Sequence, residues 1–170
     1  DNTLVVITSD NGPWFEGSPG AFRGNKGMSL EGGVRVPMIA SWPARIPKGS
    51  RSNAIGMGID FAATFAEVAG KPLTTPTDGK SLLKTWTEGA PTPHDYLYLF
   101  EGTEVSGVRT QDWKFVSRMY YQKWDVRFDD PKHSQFNRPG LLFPMKGKDA
   151  ERYSVALENP EVVKRLYALV

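Results

Sequence analysis

The chain has 170 residues, of which 39% are hydrophobic and 24% charged, and its formal net charge is +2 at pH 7. This composition is typical of an ordinary globular protein, and so small a net charge argues against nucleic acid or an anionic membrane surface as a partner. The absence of cysteine excludes disulfides, zinc thiolates and a cysteine nucleophile, and no apolar run is long enough to span a bilayer.

The first predicted element is a strand over residues 5–8, "VVIT". Its apolar and β-branched residues favour a parallel strand that is buried on both faces of an α/β sheet. The polar "SDNG" that follows would then lie at the carboxyl edge of the sheet, where open α/β folds bind ligands. Because the chain enters this strand almost at once and a parallel strand needs neighbours, we expect the chain to be a piece of a longer polypeptide.

The middle of the chain alternates loops with short elements. Residues 11–33 are rich in glycine and predict one long ordered loop, and residues 36–42 predict a second strand. Asp60 to Ala69 predicts a helix that Asp60 caps and Gly70 ends. A shorter helix is expected over residues 81–87.

The pattern changes beyond Pro93. The segments "YLYLFE", "SGVRT" and "WKFVSRMYY" predict short antiparallel strands, with Trp113 as a core anchor, and an amphipathic helix is expected to begin just after Asn159. We therefore expect an α/β fold, a partial sandwich over residues 1–92 and a small antiparallel sheet with a terminal helix over residues 93–170. An incomplete parallel sheet exposes apolar surface, which predicts self-association of the chain.

Two of the residues after the first strand offer oxygen ligands. Asp10 supplies a carboxylate and Asn11 an amide carbonyl, and such donors suit Ca²⁺ or Mg²⁺ rather than zinc. Ca²⁺ takes about 6–8 oxygen ligands, so other residues would have to complete a site. The alternative is that Asp10, Asn11 and Gly12 form only a turn, because all three residue types favour turns.

The segment "FRGNKGMSLEGGVRVP" is a second candidate site. Its glycines let the backbone approach a ligand closely, and Lys26 between two of them could bind a tetrahedral anion. We expect Glu31 and Arg35 to form a structural ion pair. The two histidines, His94 and His133, lie in loops and are expected to be solvated.

The motifs "VVITSDNG", "RGNKGMSLEGGVRVPMIASWP", "IDFAATFAEVAG", "DGKSLL", "GVRTQDWKFV" and "ENPEVVKRL" follow one another in this order. In that order and spacing they resemble the C-terminal part of a sulfatase of the arylsulfatase type, in the alkaline phosphatase superfamily. The resemblance implies that Asp10 and Asn11 bind Ca²⁺ together with two aspartates nearer the N-terminus. It also implies that Lys26 contacts the substrate sulfate, with Asn25 in place of the family's usual glycine.

The family's nucleophile is a formylglycine made within a C/S-x-P-S-R motif, and this motif is absent from the chain. The resemblance therefore implies that the N-terminal remainder of the same polypeptide supplies the nucleophile and that the chain alone is inactive. By family analogy the whole enzyme is expected to be periplasmic or extracellular.

The expected substrate is a sulfate ester, either a small molecule or a sulfated glycan. The aromatic and basic stretch around Trp124 and Arg127 is a candidate wall for a sulfated sugar, or equally only the packing of the small sheet. Two alternatives to a sulfatase stay open. One is a phosphomonoester or phosphonate hydrolase of the same superfamily, and the other is a non-catalytic binding module.

Overall fold

The computed structural model describes residues 2–71, 73–118, 140–146 and 151–170. The helices and strands in these ranges are, in chain order, β1 (Val5–Thr8), α1 (Glu31–Val34), β2 (Met38–Ser41), α2 (Asp60–Val68), α3 (Leu83–Thr87), β3 (Leu97–Glu101), β4 (Glu104–Arg109), β5 (Trp113–Val116), β6 (Leu141–Pro144) and α4 (Pro160–Tyr167). None of the described helices is long and apolar enough to cross a membrane.

The chain divides into two compact units, each built from two stretches of sequence. The first unit contains residues 1–10 and 37–97, and the second contains residues 11–36 and 98–170. The glycine-rich loop therefore belongs to the same unit as the antiparallel sheet, whereas β1 and β2 belong to the other. The predicted boundary between an α/β part, residues 1–92, and an antiparallel-sheet part, residues 93–170, stays a prediction.

The strand pair of the first unit differs from the expected parallel sheet. β1 pairs with β2 antiparallel, with Val5 opposite Ser41 and Thr8 opposite Met38. Ile7 is 60% exposed, so the prediction that this strand is buried on both faces is wrong for the described residues. Val5 and Ile7 of β1 are exposed, as expected for an incomplete sheet with uncovered apolar surface. The self-association inferred from such a surface stays a prediction.

The predicted helix from Asp60 is confirmed as α2, and Gly70, with a φ of 64°, follows its end. Asp60 is the first helical residue rather than the cap, and its buried carboxylate accepts the backbone N–H groups of Met57 at 2.7 Å and Lys80 at 2.9 Å. The Thr64 hydroxyl accepts the Leu82 N–H at 2.9 Å. These contacts tie α2 to the segment that leads into α3.

His94 is buried rather than solvated. Its Nε2 lies 2.8 Å from Asp60 Oδ1, so the prediction of a solvated loop histidine is wrong for this residue. The contact joins residues 34 positions apart in sequence, which a local pattern cannot reveal. His133 lies outside the described residues.

The second unit contains a sheet with the strand order β3-β4-β5-β6, in which β5 pairs antiparallel with both β4 and β6. The prediction of a terminal helix after Asn159 is confirmed by α4, whose Tyr167 ring lies 6.1 Å from the Phe115 ring of β5. β6 was not predicted, because residues 125–149 show no clear alternation of apolar and polar side chains.

Both faces of β5 are covered. Phe115 contacts α4, and its neighbour Val116 packs in a buried cluster with Phe143 of β6 and Leu30 of the glycine-rich loop. Because side chains alternate along a strand, Lys114 shares the Val116 face. Trp113, predicted to be the core anchor, is only half-buried, and Phe115 and Val116 occupy that role instead.

Candidate functional site

The glycine-rich segment, residues 22–35 and called the glycine loop below, folds back on its own backbone. Gly32 N–H donates to the Arg23 carbonyl at 2.7 Å, and Met28 N–H donates to the Asn25 carbonyl at 3.1 Å. Gly12, just after the first strand motif, donates to the Gly33 carbonyl at 2.9 Å. Main-chain hydrogen bonds thus fix the shape of the loop.

Glycine is required in this loop because backbone segments approach one another closely. A Cβ added at Gly32 would lie 2.1 Å from the Gly24 carbonyl oxygen, and a Cβ added at Gly33 would lie 2.1 Å from the Met28 carbonyl oxygen. A Cβ at Gly12 would lie 1.9 Å from the Gly32 carbonyl oxygen. No side chain fits at these distances, so the glycines serve packing as well as conformational freedom.

Lys26 lies at the exposed part of the loop. It is flanked by Gly24 and Gly27, whose φ values are 84° and 87°, and its backbone N–H donates to the Pro13 carbonyl at 2.8 Å. Its side chain is exposed and forms no ion pair within the described ranges. The loop therefore fixes the Lys26 backbone and presents its ammonium to solvent, as an anion-binding residue requires.

Asn25 does not distort the loop. Its side-chain amide donates to the Trp14 carbonyl at 3.3 Å. Among the described residues other than glycine, only Glu151 has a positive φ. Asn25 therefore occupies the position at which the resemblance implies a glycine without needing the left-handed conformation that glycine favours.

Asp10 and Asn11 follow β1 and Ser9, with Asp10 exposed and Asn11 half-buried. The Ser9 hydroxyl donates to Asp10 Oδ1 at 3.4 Å. Asn11 and Lys26 belong to the same compact unit, and the Lys26 contact with Pro13 brings the loop backbone next to the segment that begins at Asn11. The roles of Asp10, Asn11 and Lys26 stay predictions.

The oxygen donors of Asp10 and Asn11 are of the type that a hard cation binds, but two donors are too few to form its site. Over the described part of the chain, no three His, Cys, Asp or Glu side chains are grouped closely enough to hold a metal ion. Two donors are well short of the roughly 6–8 that Ca²⁺ takes. These residues would therefore contribute part of a calcium site and need further ligands.

Ser29 and Leu30 anchor the glycine loop to the sheet. Glu101 Oε1 accepts the Ser29 backbone N–H at 3.1 Å and its hydroxyl at 3.2 Å, and the Ser29 hydroxyl also contacts that of Ser106 on β4. Leu30 is 1% exposed and packs against Val116. The loop is therefore fixed by polar and apolar contacts at once.

A buried ionic cluster lies next to this anchor. The Lys114 ammonium is 3.0 Å from Glu31 Oε1 and 2.9 Å from Glu151 Oε1, and all three side chains are buried. Arg35 and Arg109 lie on the same Glu31 carboxylate at 3.3 and 3.6 Å. The predicted Glu31–Arg35 ion pair is confirmed, but it is the outer part of a larger network.

The two carboxyl groups that share Lys114 differ in pKa. Burial alone would raise the pKa of Glu31, but the cations of Lys114, Arg109 and Arg35 outweigh it and lower that pKa below 4.5. Burial dominates at Glu151 and raises its pKa above 4.5. Lys114 also lowers the pKa of Glu151, but Glu31 has Arg109 and Arg35 beside it as well, and the Glu31 charge itself raises the pKa of Glu151.

These opposite shifts predict opposite pH dependences for two substitutions. Glu31 stabilises the fold above pH 4.5 and loses this effect as the pH falls through its lowered pKa. Glu31→Gln is therefore expected to destabilise the protein most above pH 4.5, with the difference from the unsubstituted protein shrinking in acid. Glu151 disfavours the fold as it ionises, so the stability of Glu151→Gln is expected to rise relative to the unsubstituted protein as the pH increases above 4.5.

Urea unfolding on both sides of pH 4.5 measures the two differences in free energy of unfolding. Parallel pH profiles for the two variants would contradict the assignment of opposite pKa shifts.

Lys114 is the residue that the sequence reasoning missed, since its segment was interpreted only as a short antiparallel strand with Trp113 as a core anchor. The available signal was its position two residues before Val116, which places a charge on an apolar face. Glu151 left no such signal, because the sequence before it, residues 125–149, has no clear periodicity of apolar residues. The stretch around Trp124 and Arg127, the candidate sugar wall, lies outside the described residues.

The fold and the glycine loop define an α/β protein whose loop backbone fixes an exposed lysine. Comparison with known proteins shows which family has these features. The family model named Sulfatase matches residues 1–71, which contain Asp10, Asn11 and Lys26. The chain is 31% identical to human arylsulfatase A over 189 residues. It is 38% identical to an N-acetylglucosamine-6-O-sulfatase of Bacteroides thetaiotaomicron over 146 residues.

Solved structures agree with these relatives. One comes from a study of glycosaminoglycan metabolism by Bacteroides thetaiotaomicron and has a TM-score of 0.77 and 26% identity to this chain. The match covers 99% of this chain and 38% of the solved chain. Another was solved with its substrate D-glucosamine-2-N,6-O-disulfate and has a TM-score of 0.66 and 28% identity to this chain. The match covers 99% of this chain and 33% of the solved chain.

The alignment with the human relative covers 99% of this chain but 37% of that protein. The alignment with the bacterial relative covers 75% of this chain but 26% of that protein. It therefore spans about a third of the length of these relatives. The predicted resemblance to sulfatases is confirmed, and the predicted α/β fold class is confirmed with it.

Proposed function

We propose that the chain is part of a sulfuric ester hydrolase that cleaves sulfate esters. The observation that carries this proposal is the glycine loop, whose packed backbone presents the exposed Lys26, within the residues that match the sulfatase family. A fixed ammonium at this position suits a tetrahedral sulfate, because it neutralises charge on the oxygens of the transferring group.

Three residues have separate roles in this proposal. Lys26 binds and orients the sulfate group of the substrate. Asp10 and Asn11 supply two oxygen ligands to a Ca²⁺ ion, with Mg²⁺ as the other hard cation that these donors suit. When bound, such an ion would add positive charge beside the sulfate oxygens.

The remaining parts of the active site come from elsewhere in the same polypeptide in this proposal. The chain covers only about a third of its relatives, and the C/S-x-P-S-R motif that yields formylglycine is absent from its 170 residues. We therefore expect the purified chain alone to be inactive on sulfate esters. Sustained turnover of an aryl sulfate by this chain would contradict that expectation.

The substrate class proposed is a sulfated sugar. The relatives include an N-acetylglucosamine-6-O-sulfatase, and one similar structure contains a doubly sulfated glucosamine. A sulfated glycan would place the enzyme outside the cytoplasm, and a periplasmic or extracellular location is part of the proposal.

The decisive experiment uses the whole polypeptide and two substrates with the same leaving group, para-nitrophenyl sulfate and para-nitrophenyl phosphate. We expect preferential turnover of the sulfate, loss of activity with a chelator, and recovery with Ca²⁺ rather than Zn²⁺. Preference for the phosphate with recovery by Zn²⁺ would replace the proposal with the phosphatase alternative. Tight binding of sulfated sugars without turnover of either ester would replace it with a non-catalytic binding module.

A further inference from the structure

Lys114 places a fully buried ammonium on the loop-facing side of β5. It pairs with Glu31 of the glycine loop and with Glu151, which is far away in sequence. A buried charge of this kind is tolerated only when it is paired, so each partner restricts the position of the others.

The cluster acts on the main chain of the loop as well as on its side chains. Glu151 Oε2 accepts the backbone N–H of Glu31 at 2.7 Å. The next residue, Gly32, donates to the Arg23 carbonyl, and the one after it, Gly33, accepts the Gly12 N–H. The cluster therefore fixes the backbone at the point where the glycine loop closes.

Lys26 lies between the two ends that this closure joins. Arg23 precedes it and Glu31 follows it, and the Gly32 contact with Arg23 links both sides. A shift of the backbone at Glu31 is thus transmitted to the loop that carries Lys26. The Lys26 side chain itself makes no ion pair in the described ranges that would hold it independently.

We propose that Lys114 is a positioning residue for sulfate binding: its ammonium holds Glu31 and Glu151 together and so sets the position of the glycine loop and of Lys26. This inference rests on the proposed function. Lys114 is fully buried, so it acts through the loop and not by touching the substrate.

The test compares variants of the whole polypeptide. Lys114→Met keeps the length and apolar stem of the side chain but removes the cation that two buried carboxyl groups share, so it is expected to fold poorly. The double variant Lys114→Met with Glu151→Gln removes one charge of each sign and keeps an oxygen that can accept the Glu31 N–H. Lys146→Met is the matched control, because this lysine is exposed and its ion pair, with the half-exposed Asp112 at 2.7 Å, lies outside the buried cluster.

Two measurements on the folded double variant distinguish positioning from stability alone. We expect KM for a sulfate ester to rise roughly 10- to 100-fold and inhibition by inorganic sulfate to weaken by a similar factor. We also expect faster hydrogen exchange at the backbone N–H groups of Lys26 and Gly32. A purely structural role would lower the amount of active protein and leave KM unchanged.

Unchanged KM or unchanged exchange in the folded double variant would overturn the positioning role. If Lys146→Met changed either quantity equally, the effect would not be specific to the buried cluster and the inference would fail. An unsubstituted polypeptide without turnover of sulfate esters would instead refute the proposed function, and the exchange measurement would still test whether Lys114 fixes the loop.

Discussion

Replacing Lys26 with alanine in the whole polypeptide is expected to lower kcat/KM for a sulfate ester by roughly 10²–10³-fold, the loss typical of removing one preorganised group that stabilises developing charge. The loop backbone is fixed by its own hydrogen bonds and by close contacts at Gly32 and Gly33, so the substitution removes the ammonium without a reason for the loop to move. The exposure of the side chain implies little change in stability.

Steady-state kinetics with the sulfate ester measure this loss, and thermal unfolding checks that the variant is folded. Lys48→Ala is the control, because Lys48 is an exposed lysine of the connection between β2 and α2 and has no proposed role in catalysis. If kcat/KM of Lys26→Ala stayed within about twofold of the unsubstituted value, far from the expected loss, Lys26 would have no role in sulfate binding.

Gly33→Ala is expected to destabilise the protein by about 3 kcal/mol or more, at the upper end of overpacking substitutions. The added Cβ would lie 2.1 Å from the Met28 carbonyl oxygen and 2.5 Å from that of Asn25. Both neighbours are backbone atoms within the loop, so no side-chain rotation can relieve the clash. The loop would have to open, and Lys26 would be displaced with it.

Urea unfolding of the variant measures this effect as a lower midpoint. Gly58→Ala is the matched control, since an added Cβ there meets nothing within 4 Å and the residue has no positive φ. Equal stabilities of the Gly33 and Gly58 variants would show that the loop accommodates a side chain and would contradict the close approach.

The sequence was sufficient where structure depends on neighbouring residues. Glu31 and Arg35 are four residues apart, and their ion pair could be predicted from this spacing. α4 could be predicted from its apolar periodicity after Asn159 and from the proline at its start. The glycine spacing around Lys26 likewise predicted an ordered loop, which the packed backbone confirms.

The predictions failed where contacts join distant residues. The segment that contains Lys114 was predicted only as a short antiparallel strand, and antiparallel sheets often have one solvated face; here the glycine loop covers that face. His94 pairs with Asp60 across 34 positions, and Glu151 meets Glu31 across 120. The parallel pairing expected for β1 was wrong for the same reason, since an apolar run does not indicate which strand lies beside it or in which direction that strand runs.

The backbone closure of the glycine loop has a consequence for engineering. Carbonyl and N–H groups of the main chain close the loop, and the exposed side chain of Arg23 and the half-exposed side chain of Asn25 add hydrogen bonds to the Glu151 and Trp14 carbonyls. A library that randomises these two positions and keeps Gly24, Gly32 and Gly33 would lose these two side-chain contacts, keep the main-chain closure of the loop and vary the surface beside the ammonium. The loop thus separates the part of the molecule that must stay constant from the part in which new specificities can be selected.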